Sequence, residues 1–378
     1  MTKCVMIVGL GDLGGWVLEF LARCQCVSRI VTADIKEEWG KAKTMTAAVG
    51  ASQQGFNKRL EFHKLDLYDI NRTAELLNSI QPDFIYSAAT LQSWWVPLLL
   101  PHEVSLKSEL AGIAPQVSSQ MLLIYKLMQA VKKSGIKAKV LNNSYPDLVN
   151  PILWRNGLGP ETGSGNSDLV MEDIRQKVSY DLNIPPQEIA VYLYTAHSMC
   201  TLANLKDIPF ILKIYAAGLD VTSNYDSKKL VRRFNASLLN AETTSWIAHP
   251  RVAASAVKNL MAMINNTNEL THVCGPKGLP GGYSVRMSAV GPEVILTEGV
   301  TMEDALKVNL DALKFDGVEE IKEDGTVVFT EESRQLTKEW LGMDCGRELR
   351  LADIEEHAKE VLSATNKLAL KYGIKLKL

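Results

Sequence analysis

The chain offers little from which a disulfide framework, a metal centre or a nucleic-acid surface could be built. Its six cysteines (Cys4, Cys24, Cys26, Cys200, Cys274 and Cys345) form no C-x-x-C pair and no metal-type series. In 378 residues they read as buried thiols, with no metal implied. No Lys/Arg run exceeds two residues and the net charge is −2, so nothing marks a surface for nucleic acid or anionic lipid. Long hydrophobic runs are also missing. The first, Cys4 to Leu10, is too short to cross a bilayer, is broken by glycine and lacks a signal-type cleavage site after it. The expectation is a soluble cytoplasmic protein whose partner is a small molecule rather than a nucleic acid or a membrane.

What is present is ordinary globular composition, 46% hydrophobic and 22% charged, with length enough for two domains. Strands alternate with helices through about residue 145. CVMIV (4–8) is a continuous apolar run of the buried parallel type, and residues 14–25 follow with helical spacing. RIVTAD (29–34), RLEFHKLD (59–66), DFIYSAA (83–89) and KAKVLNN (137–143) read as further strands. Helices are expected over 69–80, capped by Asp69, and over 118–134, closed by Gly135. The second half is more mixed: helices at about 169–182, 243–266 and 351–372, a strand over 188–197 ending on His197, and antiparallel segments between 282 and 330. The fold class is therefore α/β, a Rossmann-type doubly wound parallel sheet over residues 1–150 followed by an α+β unit over 151–378.

The chemistry begins at VMIVGLGDLGG. Gly9, Gly11 and Gly14 form G-x-G-x-x-G between a strand and a helix. Gly9 permits the tight turn, Gly11 lets the backbone approach a diphosphate, and Gly14 lets helix and strand pack closely. The diphosphate would sit on the helix N-terminus, beside Asp12 and Leu13. Asp34 ends the second strand, 20 residues past Gly14, where a carboxylate accepts from ribose hydroxyls and repels a 2′-phosphate. The expected cofactor is NAD, with NADP disfavoured. Ala88 and Ala89, after the fourth strand, complete the expected cofactor wall. Asp66 is either an adenine-end ligand or a turn residue.

The run NNSYPDLVNPILWRNGLGPETGSGNSDLVMEDIRQKVSYDLNIPPQEIAVYLYTAHS, with TTSWIAHPRVAASAVKNLMAMI further on, resembles the lactate/malate dehydrogenase superfamily. An S-N-P turn, a G-S-G turn, an L-D-S-A-R-F-R helix, an H-G-D-S strand end and a T-S-W helix follow there in the same order. The first domain is also similar to saccharopine-dehydrogenase-like proteins. The resemblance implies an NAD-dependent dehydrogenase, a homodimer or homotetramer, with His197 as acid/base. A base near neutral pKa is what alcohol oxidation needs once the hydride has left. Asp168 is the expected partner of His197, with Glu172 as the alternative and Arg175 on the same helix face. Asn143 is the expected ligand of the substrate oxygen, with Asn142, Ser144 and Tyr145 beside it.

Two departures from that family stand out. There is no arginine between Arg72 and Arg155, where the resemblance implies a loop arginine over the substrate. The stretch 90–112 offers Trp94, Trp95 and leucines instead, either a lid over a bulkier, less charged substrate or a subunit contact. Arg251 stands where the family has a threonine or serine, and could hold an anionic group. Three rival readings remain at this point: a C–N-acting opine or saccharopine-type dehydrogenase, a metal-requiring NAD-dependent glycosidase, and a non-catalytic NAD(H) sensor.

Overall fold

The structure is a computed structural model that describes residues 3–232 and 244–376. Six parallel strands form the first sheet in the order β3-β2-β1-β4-β5-β6: β1 (Lys3–Val8), β2 (Val27–Asp34), β3 (Arg59–Lys64), β4 (Phe84–Ser87), β5 (Lys139–Asn142) and β6 (Thr162–Gly163). β1 is buried along its last five residues because β2 and β4 flank it, with Val5 opposite both Ile30 and Phe84. A strand with two covered faces has no polar face to show.

The crossovers are helices α1 (Asp12–Ala22), α2 (Glu37–Gln53), α3 (Ile70–Ile80), α4 (His102–Ala111) and α5 (Val117–Ser134). Asp69 caps α3 by accepting from Arg72 N at 2.9 Å, and Gly135 ends α5 in the left-handed region. Helix α2 is hidden from periodicity because its buried residues, Gly40, Thr44, Ala47 and Ala51, are small.

After β5 comes helix α6 (Pro146–Arg155), with Pro146 in the first turn, where its missing N–H costs nothing. The parallel sheet also runs past residue 150, since Leu141 of β5 pairs with Thr162 of β6.

The remainder comprises α7 (Ser167–Leu182), β7 (Ile189–Tyr194), α8 (Ser198–Leu202), β8 (Ile211–Ala216), β9 (Leu219–Asp220), α9 (Ser227–Val231) and α10 (Thr244–Asn265). It continues with β10 (Glu269–Cys274), β11 (Gly282–Ser288), β12 (Gly291–Val294), α11 (Met302–Leu313), β13 (Val318–Ile321), β14 (Val327–Phe329), α12 (Glu331–Leu341), β15 (Glu348–Leu349) and α13 (Ile354–Lys371). Its strands form three antiparallel sheets, as expected of an α+β unit. Thr243, which the expected late helix includes, lies outside the described residues.

The two halves share their apolar core. Val5, Ile7, Tyr86 and Leu141 of the first sheet cluster with Tyr194, Ala253, Leu260, Val273 and Tyr283 of the second half. Helix α10 lies across α1, where Trp246 meets Trp16 edge-on at 6.0 Å. That crossing brings second-half side chains to the glycine turn. Among the described residues no helix is long and apolar enough to cross a membrane.

Candidate active site

The glycine turn has the shape of a cradle. Gly9 has φ +91°, and a Cβ there would lie 2.6 Å from the backbone nitrogen of Ala89. A Cβ on Gly14 would lie 1.9 Å from the Gly9 carbonyl oxygen. A Cβ on Gly11, by contrast, would meet nothing within 4 Å. Two glycines are thus required by packing, while the third faces open space at the start of α1, where a diphosphate would need to approach.

Asp34 ends β2 at the rim of this turn and accepts from Leu10 N at 2.6 Å and from Lys36 N at 2.8 Å. Each carboxylate oxygen keeps a lone pair for a ribose hydroxyl. Ala88 and Ala89 form the opposite wall, with Ala88 N bonded to Val8 O. Leu13 packs partly buried beneath, and Asp12 is exposed at the first position of α1. The residues present fit a dinucleotide. Lys43 of α2, which the sequence reading missed, donates to Gly11 O at 2.7 Å and lies over the Trp39 ring. Burial lowers its pKa, offset by Asp12, Asp34 and Glu19. Asp66 serves its turn, accepting from Tyr68 N at 2.9 Å.

In the second half, His197 sits in the turn between β7 and α8 rather than on the strand itself. Its Nδ1 is 2.8 Å from Asp316 Oδ1, and Ser198 N donates to Asp316 Oδ2 at 2.8 Å. Asp316 is 1% exposed and lies between α11 and β13, with its backbone against Gly112 at the end of α4. An ionised carboxylate only accepts, so His197 carries its proton on Nδ1 when neutral. Nε2 then holds the free lone pair, and it makes no hydrogen bond among the described residues.

Burial alone would lower the His197 pKa; Asp316, with Asp147 and Glu109 behind it, outweighs that and raises it. Burial raises the Asp147 carboxyl to about 6, tempered by the charge of His197 and by Asn166, which donates to its Oδ2. Its Oδ1 is buried and accepts no hydrogen bond among the described residues, with the Cys274 thiol beside the carboxyl. Glu109 of α4 is also raised by burial, against the pull of His102 and His197. The Tyr145 ring stands 5.9 Å from the imidazole.

Two expectations about the partner of His197 are corrected. Asp168 does not reach His197; it accepts from Ser255 Oγ and lies 2.6 Å from Lys258 Nζ, buried between α7 and α10. Glu172 does not replace it, because it pairs with Arg175 at 3.2 Å on the flank of α7. Arg251 is paired with Asp173 at 2.6 Å, and its charge also reaches Cys200, three residues past His197. Asn143 stands where expected at the end of β5 and accepts from Ser164 Oγ of the GSG turn at 2.9 Å.

The 90–112 stretch divides. Its second half is α4, packed on α12 of the same chain, with Lys107 bonded to Glu339 and Ser333 Oγ to Ala111 O. Its first half carries half-buried Trp95 and exposed Trp94, whose Nε1 donates to His249 Nε2 at 3.3 Å.

The same overall fold recurs in solved structures. A lactate dehydrogenase from a Medee basin deep-sea metagenome library superposes with a TM-score of 0.59 at 14% identity, over 83% of this chain and 96% of that one. Cryptosporidium parvum malate dehydrogenase gives 0.58 at 13%, over 96% of this chain and 100% of that one. The lactate dehydrogenase of the same organism, complexed with lactic acid and nicotinamide adenine dinucleotide, gives 0.57 at 15%, over 84% and 98%. The fold is that of the lactate and malate dehydrogenases. No protein-family profile matches the chain, and no curated protein matches it by sequence.

Within this lactate/malate dehydrogenase-like fold, Asp316 is the main residue that sequence reasoning missed. It lies 119 positions from His197, and its local signal is only a short K-F-D-G turn after an amphipathic helix. Nothing in that turn announces a buried carboxylate.

Proposed function

We propose that the chain is an NAD-dependent oxidoreductase that moves a hydride between NAD and a secondary alcohol or its ketone. The observation that carries this reading is the His197–Asp316 pair, in a fold whose glycine turn leaves open space at Gly11. Bound NAD would supply the hydride acceptor. The protein's task is then to hold the alcohol and take its proton. His197 Nε2 accepts that proton, and Asp316 fixes the tautomer and stabilises the imidazolium that results. Asn143, its Oδ1 held by Ser164, keeps its amide donors for the substrate oxygen.

Substrate charge is argued from the same residues. Three carboxyl groups, of Asp316, Asp147 and Glu109, act on His197, while Arg251 and Arg175 are already paired with acids. A small 2-oxo acid would bring another negative charge into this setting. The proposed substrate is bulkier and less negatively charged, covered by the Trp94–Trp95 segment. The metal-requiring glycosidase reading has less support, since among the described residues no three His, Cys, Asp or Glu side chains gather as a ligand set.

The test is a screen of secondary alcohols and ketones, with and without an amine donor, followed through NADH absorbance. Turnover of a neutral alcohol that His197→Ala abolishes is the expected result. Turnover that survives His197→Ala contradicts the mechanism, and turnover only with an amine donor favours the C–N-acting reading.

A further inference from the structure

His249 has an unmet hydrogen-bonding need next to the glycine turn. Its ring is 5% exposed, on the face of α10 that also carries Trp246 against Trp16 of α1. The Trp94 indole stands edge-on to it at 6.4 Å, and Trp94 Nε1 lies 3.3 Å from His249 Nε2. An indole nitrogen only donates, so Nε2 must be the bare acceptor. A neutral ring then carries its hydrogen on Nδ1, and Nδ1 is buried with no partner among the described residues. A buried N–H without an acceptor is costly, and native proteins rarely leave one unless a ligand completes it.

The charged groups that reach His249 are Asp12 and Lys43, both at the glycine turn. Neither supplies the acceptor: Lys43 only donates, to Gly11 O, and the exposed Asp12 carboxylate makes no hydrogen bond to the ring. The space over Gly11 is open, and a diphosphate there would present several acceptor oxygens.

We propose that the Nδ1–H of His249 donates to the diphosphate of the dinucleotide, with Trp94 holding the required tautomer. This rests on the dinucleotide reading above and assigns that site a contact outside the glycine turn. The loop after β4 and helix α10 thereby close on the cofactor together. His249 is a binding residue in this arrangement, and Trp94 is its positioning residue.

The test is competition against NADH fluorescence by ADP, which has the diphosphate, and by adenosine, which does not. His249→Phe keeps a ring but no donor. His249→Asn places an amide N–H where Nδ1 stood. ADP affinity is expected to fall about ten- to a hundredfold in His249→Phe, with adenosine unchanged, and to recover in His249→Asn. Unchanged ADP affinity in His249→Phe, an equal loss for adenosine, or failure of His249→Asn to recover binding would overturn the proposal. A wild-type chain that binds neither NADH nor ADP instead overturns the dinucleotide reading on which it rests.

Discussion

At His197 burial and charge oppose each other, and charge wins. The imidazole loses water, which favours its neutral form, but Asp316, Asp147 and Glu109 together favour the cation. The pKa is raised, so the neutral base needed for alcohol oxidation is depleted as pH falls through a value above about 6.5. Oxidation is therefore expected to lose rate on that acid limb, while ketone reduction, which needs the protonated ring, gains there. Asp316→Asn removes the largest favourable charge and should move the limb to lower pH, while kcat drops about a hundredfold or more as the tautomer is lost. A pH–rate profile checks both, and an unmoved limb would remove Asp316 from the mechanism. Cys200 and Cys274 are close to this group, yet burial raises both thiols well above their usual range. Of the six thiols expected to be buried, Cys4, Cys274 and Cys345 are, while Cys24, Cys26 and Cys200 are half-buried.

Among the elements, the glycine turn separates folding from binding. Gly9→Ala would drive a Cβ into the Ala89 backbone at 2.6 Å, at a φ that disfavours side chains, so it should lower thermal stability. Gly11→Ala meets nothing within 4 Å and should fold normally while losing affinity for NADH. Melting curves and NADH titrations on the two variants test this split; equal behaviour would contradict the cradle. Gly112 gives a second case. It has φ +76°, and a Cβ there would lie 2.3 Å from the Asp316 backbone, so Gly112→Ala is expected to disturb His197 from a distance. The measurement is kcat in a variant that is still folded, with unchanged kcat the contrary result.

The legibility of the sequence follows from these elements. The strands and the Gly9–Asp34 constellation were readable because their signals are local: an apolar run, a glycine spacing, a strand-end acid. Asp316 and His249 were not, because their partners lie 119 and 155 positions away and only the closed fold brings them together. Asp168 misled for the converse reason. Its helix could be read, but the serine and lysine that claim its carboxylate belong to α10, 87 and 90 positions on.

Over the whole molecule, stability depends on buried histidines that the proposed chemistry does not use. His272 in β10 and His357 in α13 are buried, and burial lowers both to about 4. A histidine with a depressed folded-state pKa contributes its full stability above the unfolded value of about 6.5, and loses it progressively as pH falls toward 4. At about 1.4 kcal/mol per unit, each should cost on the order of 3 kcal/mol by pH 4. Urea unfolding across that range is expected to show falling stability, with His272→Asn or His357→Gln flattening the curve; an unchanged curve would exclude these residues.

The proposed chemistry requires dinucleotide binding at the glycine turn, with Asp34 expected to select against a 2′-phosphate. The most direct measurement is fluorescence titration of the full chain with NADH and with NADPH, repeated on Asp34→Ala. NADH is expected to bind more tightly than NADPH, and Asp34→Ala to narrow or reverse the difference. Binding of neither nucleotide, or tighter binding of NADPH by the wild-type chain, would contradict it.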